Sequence, residues 1–259
     1  QSLIKNLKDL YPDSQIDALS PSWTFSVMKR MPEVSEVILF PFKHGEIAFR
    51  RRLSFGNNLN LKNYDWAILL PNSFKSAIVP FVANIKRRTG WLGEARFLLL
   101  NDVKKLNSKI HPLLVQRFCA LANNFEPVEE NFSEPSLEVN ENNINVLCNK
   151  YNLDREKKTL ILCPGAEFGP AKRWPSFNYA KLSDHYLDLD FQVIILGSIK
   201  DMDSSHELEM ALNIKKHKSF FNLTGNTNLE DAIDILSLGT VVSNDSGLIC
   251  SITAQVKTR

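Results

Sequence analysis

The sequence predicts an α/β protein built from two doubly wound domains, and three observations support this prediction. Short apolar runs typical of buried strands alternate with segments of helical spacing along most of the chain. The 259 residues are 44% hydrophobic and 23% charged, which is ordinary for a globular protein. The two halves also differ in net charge. Alternation of strands and helices is typical of parallel sheets covered by helices on both faces.

The first predicted domain is residues 1–125. Apolar residues at helical spacing predict a helix at 3–10, and a short strand follows at 16–19. A second helix at 23–30 leads to a strand at 37–40. The pattern then predicts a helix through the basic cluster at 50–52, a strand at 66–70 and a helix at 73–83.

Residues 126–143 hold six Glu and two Pro but no Lys or Arg. This composition predicts a solvated linker, with room for a short helix near Asn142. Beyond it the alternation resumes and predicts a second domain, residues 144–259. Strands are predicted at 159–163, 191–196, 220–223 and 240–243, and helices at 175–187, 202–212 and 229–236.

The two predicted domains carry opposite charge. Residues 1–125 have a net charge of +9 and residues 126–259 have −7, which together give the +2 of the chain. A basic surface attracts ligands rich in phosphate or carboxylate. Nucleic acid is disfavoured as a ligand because the sequence contains no recognisable DNA-recognition helix, zinc finger or RNA-binding aromatic motif. The alternative to an anionic ligand is a solvated basic surface that binds no particular partner. The basic residues of the first half include Arg50, Arg51, Arg52, Lys86, Arg87, Arg88, Arg96, Lys104 and Lys105.

The four cysteines, Cys119, Cys148, Cys163 and Cys250, are scattered and form no C-x-x-C pair. This spacing argues against a zinc site and against a disulfide framework, and it fits a reducing cytoplasm. We expect each to be a small buried apolar residue.

The segment 162–175 carries the most specific pattern in the chain. The predicted strand at 159–163 runs into a Gly- and Pro-rich loop, and a helix is expected to begin at Pro175, since proline is favoured at the first helical position. A loop of this kind presents backbone N–H groups and the positive end of the helix dipole, which suits a phosphate. Lys172 adds a full positive charge there.

Two further loops follow predicted strands of the second domain. Gly197 and Ser198 follow the strand at 191–196, and Asp245, Ser246 and Gly247 follow the strand at 240–243. Ligands of doubly wound sheets bind beyond the carboxyl ends of the strands. Each of these features also has an ordinary structural explanation. Lys172 could be a solvated surface lysine, Gly197 and Ser198 a simple turn, and Asp245 a helix N-cap. Taken together, they favour a nucleotide sugar or another phosphate ligand.

The amino-acid sequence of segment 162–175 resembles that of the ADP-heptose:lipopolysaccharide heptosyltransferases of Gram-negative bacteria, and of the type II members in particular. Five further segments resemble the same family in the same order, at residues 31–36, 70–76, 88–94, 100–102 and 242–248. The resemblance implies the GT-B architecture, with two Rossmann-like domains facing a cleft. It also implies inverting, metal-independent transfer of L-glycero-D-manno-heptose from ADP-heptose to the first heptose of the lipopolysaccharide inner core, without a cofactor.

The resemblance also implies roles for individual residues. Lys172 matches the lysine that contacts the donor phosphates, and Asp245 matches the aspartate that contacts the donor sugar. The basic first domain would face the anionic acceptor, and the enzyme would lie peripherally on the cytoplasmic face of the inner membrane. The full donor set implied is Gly165, Ala166, Glu167, Lys172, Gly197, Ser198, Asp245, Ser246 and Gly247, and the acceptor set is Asn72, Lys75, Arg88 and Arg96.

The match departs from the family at both ends. The family's expected general base is an aspartate on a Gly-Asp loop after a first strand, whereas this chain starts at Gln1, inside what would be the following helix. The resemblance therefore assigns no catalytic residue here, and it predicts a first domain without its first, central strand. Cys250 occupies the position of a family His, and residues 251–259 continue without the closing helices of the family, so the second domain is also expected to be truncated. We expect such a chain to be inactive by itself.

Three alternatives stay open at this stage. Within the family, the chain could be a type I enzyme that acts on Kdo-lipid A. It could instead be a non-catalytic remnant that still binds a sugar nucleotide. An anion-binding interaction module built on the basic half is the third alternative.

Overall fold

The structure is a computed structural model, and it describes residues 1–43, 45–127, 132–165, 173–213 and 218–244. In chain order the elements are α1 (Ser2–Leu10), β1 (Asp17–Ser20), α2 (Ser22–Lys29), β2 (Glu36–Leu39), α3 (Phe49–Asn60), β3 (Trp66–Leu69), α4 (Phe74–Val82), β4 (Arg87–Trp91), β5 (Asp102–Lys104), α5 (Leu114–Ala122), α6 (Glu141–Tyr151), β6 (Thr159–Cys163), α7 (Ser176–Asp188), β7 (Gln192–Ile195), α8 (Met202–Ala211), β8 (Phe220–Asn222), α9 (Leu229–Leu236) and β9 (Thr240–Ser243).

Every strand pair in the described residues is parallel, which confirms the predicted α/β class with parallel sheets. Contacts divide the chain into two compact units. Unit 1 comprises Gln1–Ser22 and Glu33–Ser133, and unit 2 comprises Trp23–Pro32 and Glu134–Arg259. The assignment of an acceptor domain and a donor domain stays a prediction, as does a GT-B cleft.

The strands of unit 1 form two separate sheets, β1-β2 and β3-β4-β5. Helix α1 packs on this unit through Leu3 and Leu7, which are four residues apart and therefore lie on one face of the helix. Their partners are Cys119 and Ala122 on α5. The strands of unit 1 are mostly half-buried, so the apolar core of this unit is divided among small clusters.

The strands of unit 2 form one sheet in the order β8-β7-β6-β9. Successive side chains of β6 point to opposite faces. Ile161 and Cys163 therefore pack with α6 and α9, while Leu160 and Leu162 pack with α7 and α8. All residues of β6 and β7 are buried, as expected for a parallel sheet covered on both faces.

Helix α2 belongs mainly to unit 2, although it lies in sequence between two strands of unit 1. Arg30 donates from Nη2 to Asp234 Oδ2 at 2.8 Å, and Ser26 Oγ donates to Glu230 Oε1 at 3.0 Å. The backbone N–H of Glu138 also donates to the Arg30 carbonyl at 2.7 Å. The predicted linker is thus packed in its second half, where Leu137 is buried.

Most predicted elements match the structure to within two residues, but β4, β5 and α5 were not predicted. The apolar pattern missed β4 because Arg87 and Arg88 open it and Gly90 interrupts it. Pro175 was expected at the first helical position, whereas it is the N-cap of α7, with φ −54° and ψ 136°.

Three of the cysteines, Cys119, Cys148 and Cys163, are buried free thiols, and Cys250 lies outside the described residues. None of the described helices is long and apolar enough to cross a membrane.

Candidate functional site

The candidate site lies at the carboxyl edge of the unit 2 sheet. Strands β6, β7 and β9 are neighbours or next neighbours in this sheet and end at Cys163, Ile195 and Ser243. Because the strands are parallel, the loops that follow them emerge at the same edge. The sequence pattern predicted these three loops as the ligand site.

Two glycines at this edge pack closely on Asp201. A Cβ on Gly165 would lie 2.4 Å from Asp201 Oδ1, and one on Gly197 would lie 3.0 Å from Asp201 Cβ. A side chain at position 165 would have to displace the Asp201 carboxylate, so glycine lets the loop after β6 pack directly against Asp201. The Asp201 carboxylate is held by Ser198, whose N–H and Oγ donate to Oδ2 at 2.8 and 2.7 Å.

Asn244 ties together the ends of two loops. Its Oδ1 accepts from the Trp174 N–H at 2.8 Å and from the Tyr179 hydroxyl at 3.0 Å. Its Nδ2 donates to the Pro164 carbonyl at 2.6 Å, and its N–H donates to the Cys163 carbonyl at 3.3 Å. The side chain is 5% exposed, so these bonds form inside the protein. Asn244 therefore fixes the end of β6 against the start of α7.

The N-terminus of α7 lies at this edge. Helix α7 has no acidic residue in its first turn, but Ser176 Oγ donates to Glu207 Oε2 of α8 at 3.0 Å, so a carboxylate from the neighbouring helix lies beside the partial positive charge of the N-terminus. Trp174 precedes the helix and packs edge-on against Tyr179, with ring centroids 4.8 Å apart. Burial raises the pKa of the Tyr179 hydroxyl, which therefore stays a hydrogen-bond donor to Asn244 at neutral pH.

Asp201 is the one carboxylate placed between the two glycine loops among the described residues. Burial, with Asp201 nearby, raises the pKa of the Cys163 thiol to about 12. Cys163 is therefore neutral at physiological pH and is not a nucleophile.

The structure brings together three of the nine predicted donor residues, Gly165, Gly197 and Ser198. The others (Ala166, Glu167, Lys172, Asp245, Ser246 and Gly247) lie outside the described residues. Their two segments begin directly after Gly165 and Asn244, which lie at the same edge. Donor binding by all nine stays a prediction.

Sequence reasoning did not place Asp201 or Asn244 in the donor set. Both are polar residues within six positions of the end of an apolar strand, which is the pattern that could have identified them. What the pattern could not provide is the long-range contacts, which are those of Asp201 with Gly165 and those of Asn244 with Pro164, Trp174 and Tyr179.

In unit 1, three of the predicted acceptor residues surround the start of α4. Arg96 is fully buried, and its guanidinium donates to Asn72 Oδ1 at 2.9 Å and to Ser76 Oγ at 3.1 Å. It also donates to the carbonyls of Pro71 and Trp91. Lys75 follows Phe74 in the first turn of α4 and is half-buried.

Arg96 thus connects the loops after β3 and β4. A Cβ on Gly93 would lie 2.1 Å from the Asn72 carbonyl oxygen, so the two loops are in close contact. Burial lowers the pKa of the Arg96 guanidinium, which nevertheless stays charged at neutral pH.

Arg88, the fourth predicted acceptor residue, lies apart from the other three. It is the second residue of β4 and therefore lies near the amino end of the strand. Its Nε donates to the Leu99 carbonyl at 2.7 Å, and its guanidinium lies over the ring of Phe81. The acceptor role of these four residues stays a prediction.

No group of three or more His, Cys, Asp or Glu side chains in the described part of the chain is arranged to hold a metal ion.

The model of the family described as "Glycosyltransferase family 9 (heptosyltransferase)" matches residues 52–259. The chain belongs to glycosyltransferase family 9. This confirms the resemblance found in the sequence and makes the protein a glycosyltransferase.

Relatives within family 9 are similar over almost the whole chain. The chain is 42% identical to the lipopolysaccharide heptosyltransferase 2 of Escherichia coli K12 over 256 residues, which cover 96% of this chain and 74% of that protein. It is 41% identical to the lipooligosaccharide heptosyltransferase 2 of Haemophilus influenzae, with the same coverage. The solved structure of E. coli ADP-heptose lps heptosyltransferase II superposes with a TM-score of 0.85 at 39% identity, covering 98% of this chain and 76% of that one.

Proposed function

We propose that this family 9 glycosyltransferase transfers L-glycero-D-manno-heptose from ADP-heptose to the first heptose of the lipopolysaccharide inner core. The observation that carries the proposal is the 42% identity to a lipopolysaccharide heptosyltransferase 2 over 96% of the chain. The related structure that superposes at 39% identity is named an ADP-heptose lps heptosyltransferase II. The nucleotide sugar is then the donor substrate, and no separate cofactor is proposed.

The carboxyl edge of unit 2 is the proposed donor site. The Gly165 and Gly197 loops close on Asp201 at this edge, and the segment that joins Gly165 to the start of α7 is the Gly- and Pro-rich stretch with Lys172, which suits a phosphate. Lys172 and Asp245 belong to the two segments that leave this edge, as the donor-phosphate and donor-sugar contacts would require.

The proposed reaction is inverting and independent of metal. The leaving group is a nucleoside diphosphate, and its growing negative charge would be stabilised by the Lys172 ammonium and the helix N-terminus instead of a divalent cation. A general base must also take the proton from the acceptor hydroxyl. No described residue of this chain is assigned that role.

The acceptor would bind to unit 1, whose residues Gln1–Ser22 and Glu33–Ser133 contain 16 Lys and Arg and 12 Asp and Glu, a net charge of +4. The inner core and its lipid are anionic, so this charge would increase the rate of encounter. Such an acceptor is part of a membrane lipid. The enzyme would accordingly work as a peripheral protein on the cytoplasmic face of the inner membrane.

Donor binding tests the proposed site directly. We expect Lys172→Ala to weaken ADP-heptose binding by about 1.5–3 kcal/mol, because a hydrogen bond to a charged phosphate is lost. Lys181→Ala is the matched control, since Lys181 is exposed on α7 and lies over the Phe177 ring. Isothermal titration calorimetry in the presence of a chelator measures both. Equal affinities of the wild type and Lys172→Ala would remove the assigned role.

Acceptor preference and stereochemistry are tested with the full gene product. We expect heptose transfer to a core that already carries one heptose, with an anomeric configuration inverted relative to the donor by NMR. Preference for Kdo-lipid A without heptose would indicate a type I enzyme. Donor binding without any transfer would indicate a non-catalytic sugar-nucleotide-binding protein.

A further inference from the structure

Unit 1 carries a group of exposed apolar side chains around the first turn of α4. Its members are Ile47, Phe49, Phe74, Phe97 and Leu98, and the most exposed are Leu98 at 75% and Ile47 at 66%. Single exposed apolar residues are ordinary on protein surfaces, whereas a cluster indicates a binding surface.

Hydrogen bonds show that these residues lie on neighbouring segments. Arg52 donates from Nε to the Ile47 carbonyl at 2.7 Å and from Nη1 to the Lys75 carbonyl at 3.3 Å. Arg96 donates from Nη1 to Ser76 Oγ at 3.1 Å. The loops that follow β2 and β4 are therefore both attached to the first turn of α4, which itself follows β3. All three segments lie beyond the carboxyl ends of strands.

Basic side chains accompany the apolar ones on these segments. Lys43, Arg50, Arg51 and Lys75 are exposed or half-buried there. The acidic residues of the same segments are Glu46 and Glu94, so the cations exceed the acidic residues by two. Glu46 Oε1 pairs with Arg51 Nη1 at 2.6 Å, and the exposed Glu94 accepts from the Phe74 N–H through Oε2 at 2.9 Å.

Apolar side chains flanked by cations match the chemistry of an anionic bilayer surface. Aromatic and aliphatic groups enter the boundary between headgroups and acyl chains, while Lys and Arg bind the anionic headgroups. We propose that the side chains of Ile47, Phe49, Phe74, Phe97 and Leu98, with the four cations around them, dock unit 1 onto an anionic lipid surface. We call this set the docking surface.

The docking surface deepens the proposed function and rests on it for its purpose. Asn72 and Arg96 lie on the same loops as the docking surface, so docking would hold the predicted acceptor side of unit 1 at the membrane. A lipid-anchored acceptor would then be presented at high local concentration.

Vesicle co-sedimentation tests the docking surface without any sugar nucleotide. We expect the full chain to bind vesicles of phosphatidylcholine mixed with phosphatidylglycerol, to bind pure phosphatidylcholine vesicles weakly, and to lose binding at high salt. The double variant Phe97→Ser/Leu98→Ser should bind the anionic vesicles roughly tenfold more weakly, because it loses apolar insertion. Arg50→Gln should lose about fivefold, the effect of one basic residue near an anionic surface.

The matched control is Leu61→Ser. Leu61 is 81% exposed and follows the last residue of α3, whereas Phe49 is its first, so about 18 Å of helix separates the two ends. We expect this variant to bind anionic vesicles like the wild type. Equal losses of vesicle binding in the control and the double variant would overturn the proposal. The proposal would also be overturned if phosphatidylglycerol did not increase the binding of the wild type. Circular dichroism melts confirm that each variant is folded.

Two further measurements separate this proposal from its rivals. The double variant should still transfer heptose to an acyl-free core oligosaccharide at the wild-type rate, whereas failure of the wild type in that assay would count against the proposed function alone. A concentration-dependent dimer that the double variant abolishes would assign the surface to a second copy of the chain, and the lipid proposal would then be wrong.

Discussion

The sheets of the two units are built differently. Unit 2 has one four-stranded parallel sheet, and both of its faces are covered by large apolar clusters. Unit 1 distributes five strands over two sheets, and β1, β2 and β3 are mostly half-buried. The largest fully buried side chains of unit 1 are Arg52 and Arg96, whereas in unit 2 they are Tyr179 and aliphatic residues.

This difference shows two ways to hold loops at a strand edge. In unit 2 both faces of the sheet are covered by buried apolar side chains, and one amide, Asn244, joins the end of β6 to the residue before the N-cap of α7. In unit 1 two buried guanidinium groups bind the loops together, mostly through backbone carbonyls. Buried charges without carboxylate partners are costly, and their hydrogen bonds must compensate for the lost hydration.

The largest expected difference between the units concerns their sheets. We expect Ile194→Ala in β7 to lower the free energy of unfolding by about 2–5 kcal/mol, because Ile194 is fully buried and a cavity would remain. Ile38→Ala in β2 should cost no more than about half as much, since Ile38 is only half-buried. Hydrogen exchange measured on the amides of each sheet reports the two losses separately. Equal losses would show that the two sheets are equally well packed.

The sequence predicted unit 2 more fully than unit 1, and packing explains why. The apolar runs of β6 and β7 are uninterrupted because both faces of their sheet are covered. In unit 1, β4 begins with two arginines, and Arg87 is satisfied by Asp102 on the neighbouring strand at 2.7 Å. A strand that is stabilised by such a pair shows no apolar pattern.

Contacts between distant parts of the chain were also beyond the sequence pattern. The position of the candidate site at the strand ends followed from the alternation of elements, and Gly165, Gly197 and Ser198 were placed there on that basis. The bonds of Arg30 to Asp234 join residues 204 positions apart, and no local pattern indicates them. The burial of Arg96 is a similar case, because its four acceptors lie on three segments.

The two units also differ in their ion pairs. Asp234 is fully buried, binds Arg30, and accepts from the Asn140 N–H at 2.9 Å. We expect Asp234→Asn to cost about 3 kcal/mol of unfolding free energy, because it leaves a nearly buried guanidinium without its counter-charge. Glu36→Gln in unit 1 removes an exposed pair with Lys62 and should cost at most about 1 kcal/mol. Denaturant titration of both variants checks the contrast, and similar costs would mean that Arg30 finds another partner.

The smallest expected difference concerns two helix N-termini. Asn228 caps α9, since its side chain accepts from the Asp231 N–H at 2.9 Å. Asn228→Ala should therefore cost about 1 kcal/mol in thermal or denaturant unfolding. Ser73 occupies the N-cap of α4, but its side chain makes no cap bond, and Glu94 accepts from the Phe74 N–H instead.

We therefore expect Ser73→Ala to change stability by only a few tenths of a kcal/mol, and Glu94→Ala to cost as much as the loss of a true cap, about 1 kcal/mol. A large effect of Ser73→Ala with none from Glu94→Ala would show that α4 is capped locally, as α9 is. The expected result would show that α4 is capped by Glu94, a residue distant in sequence. In unit 1 even the end of a helix is held by a residue of the loop after a neighbouring strand, which is how this unit joins its loops to its helices.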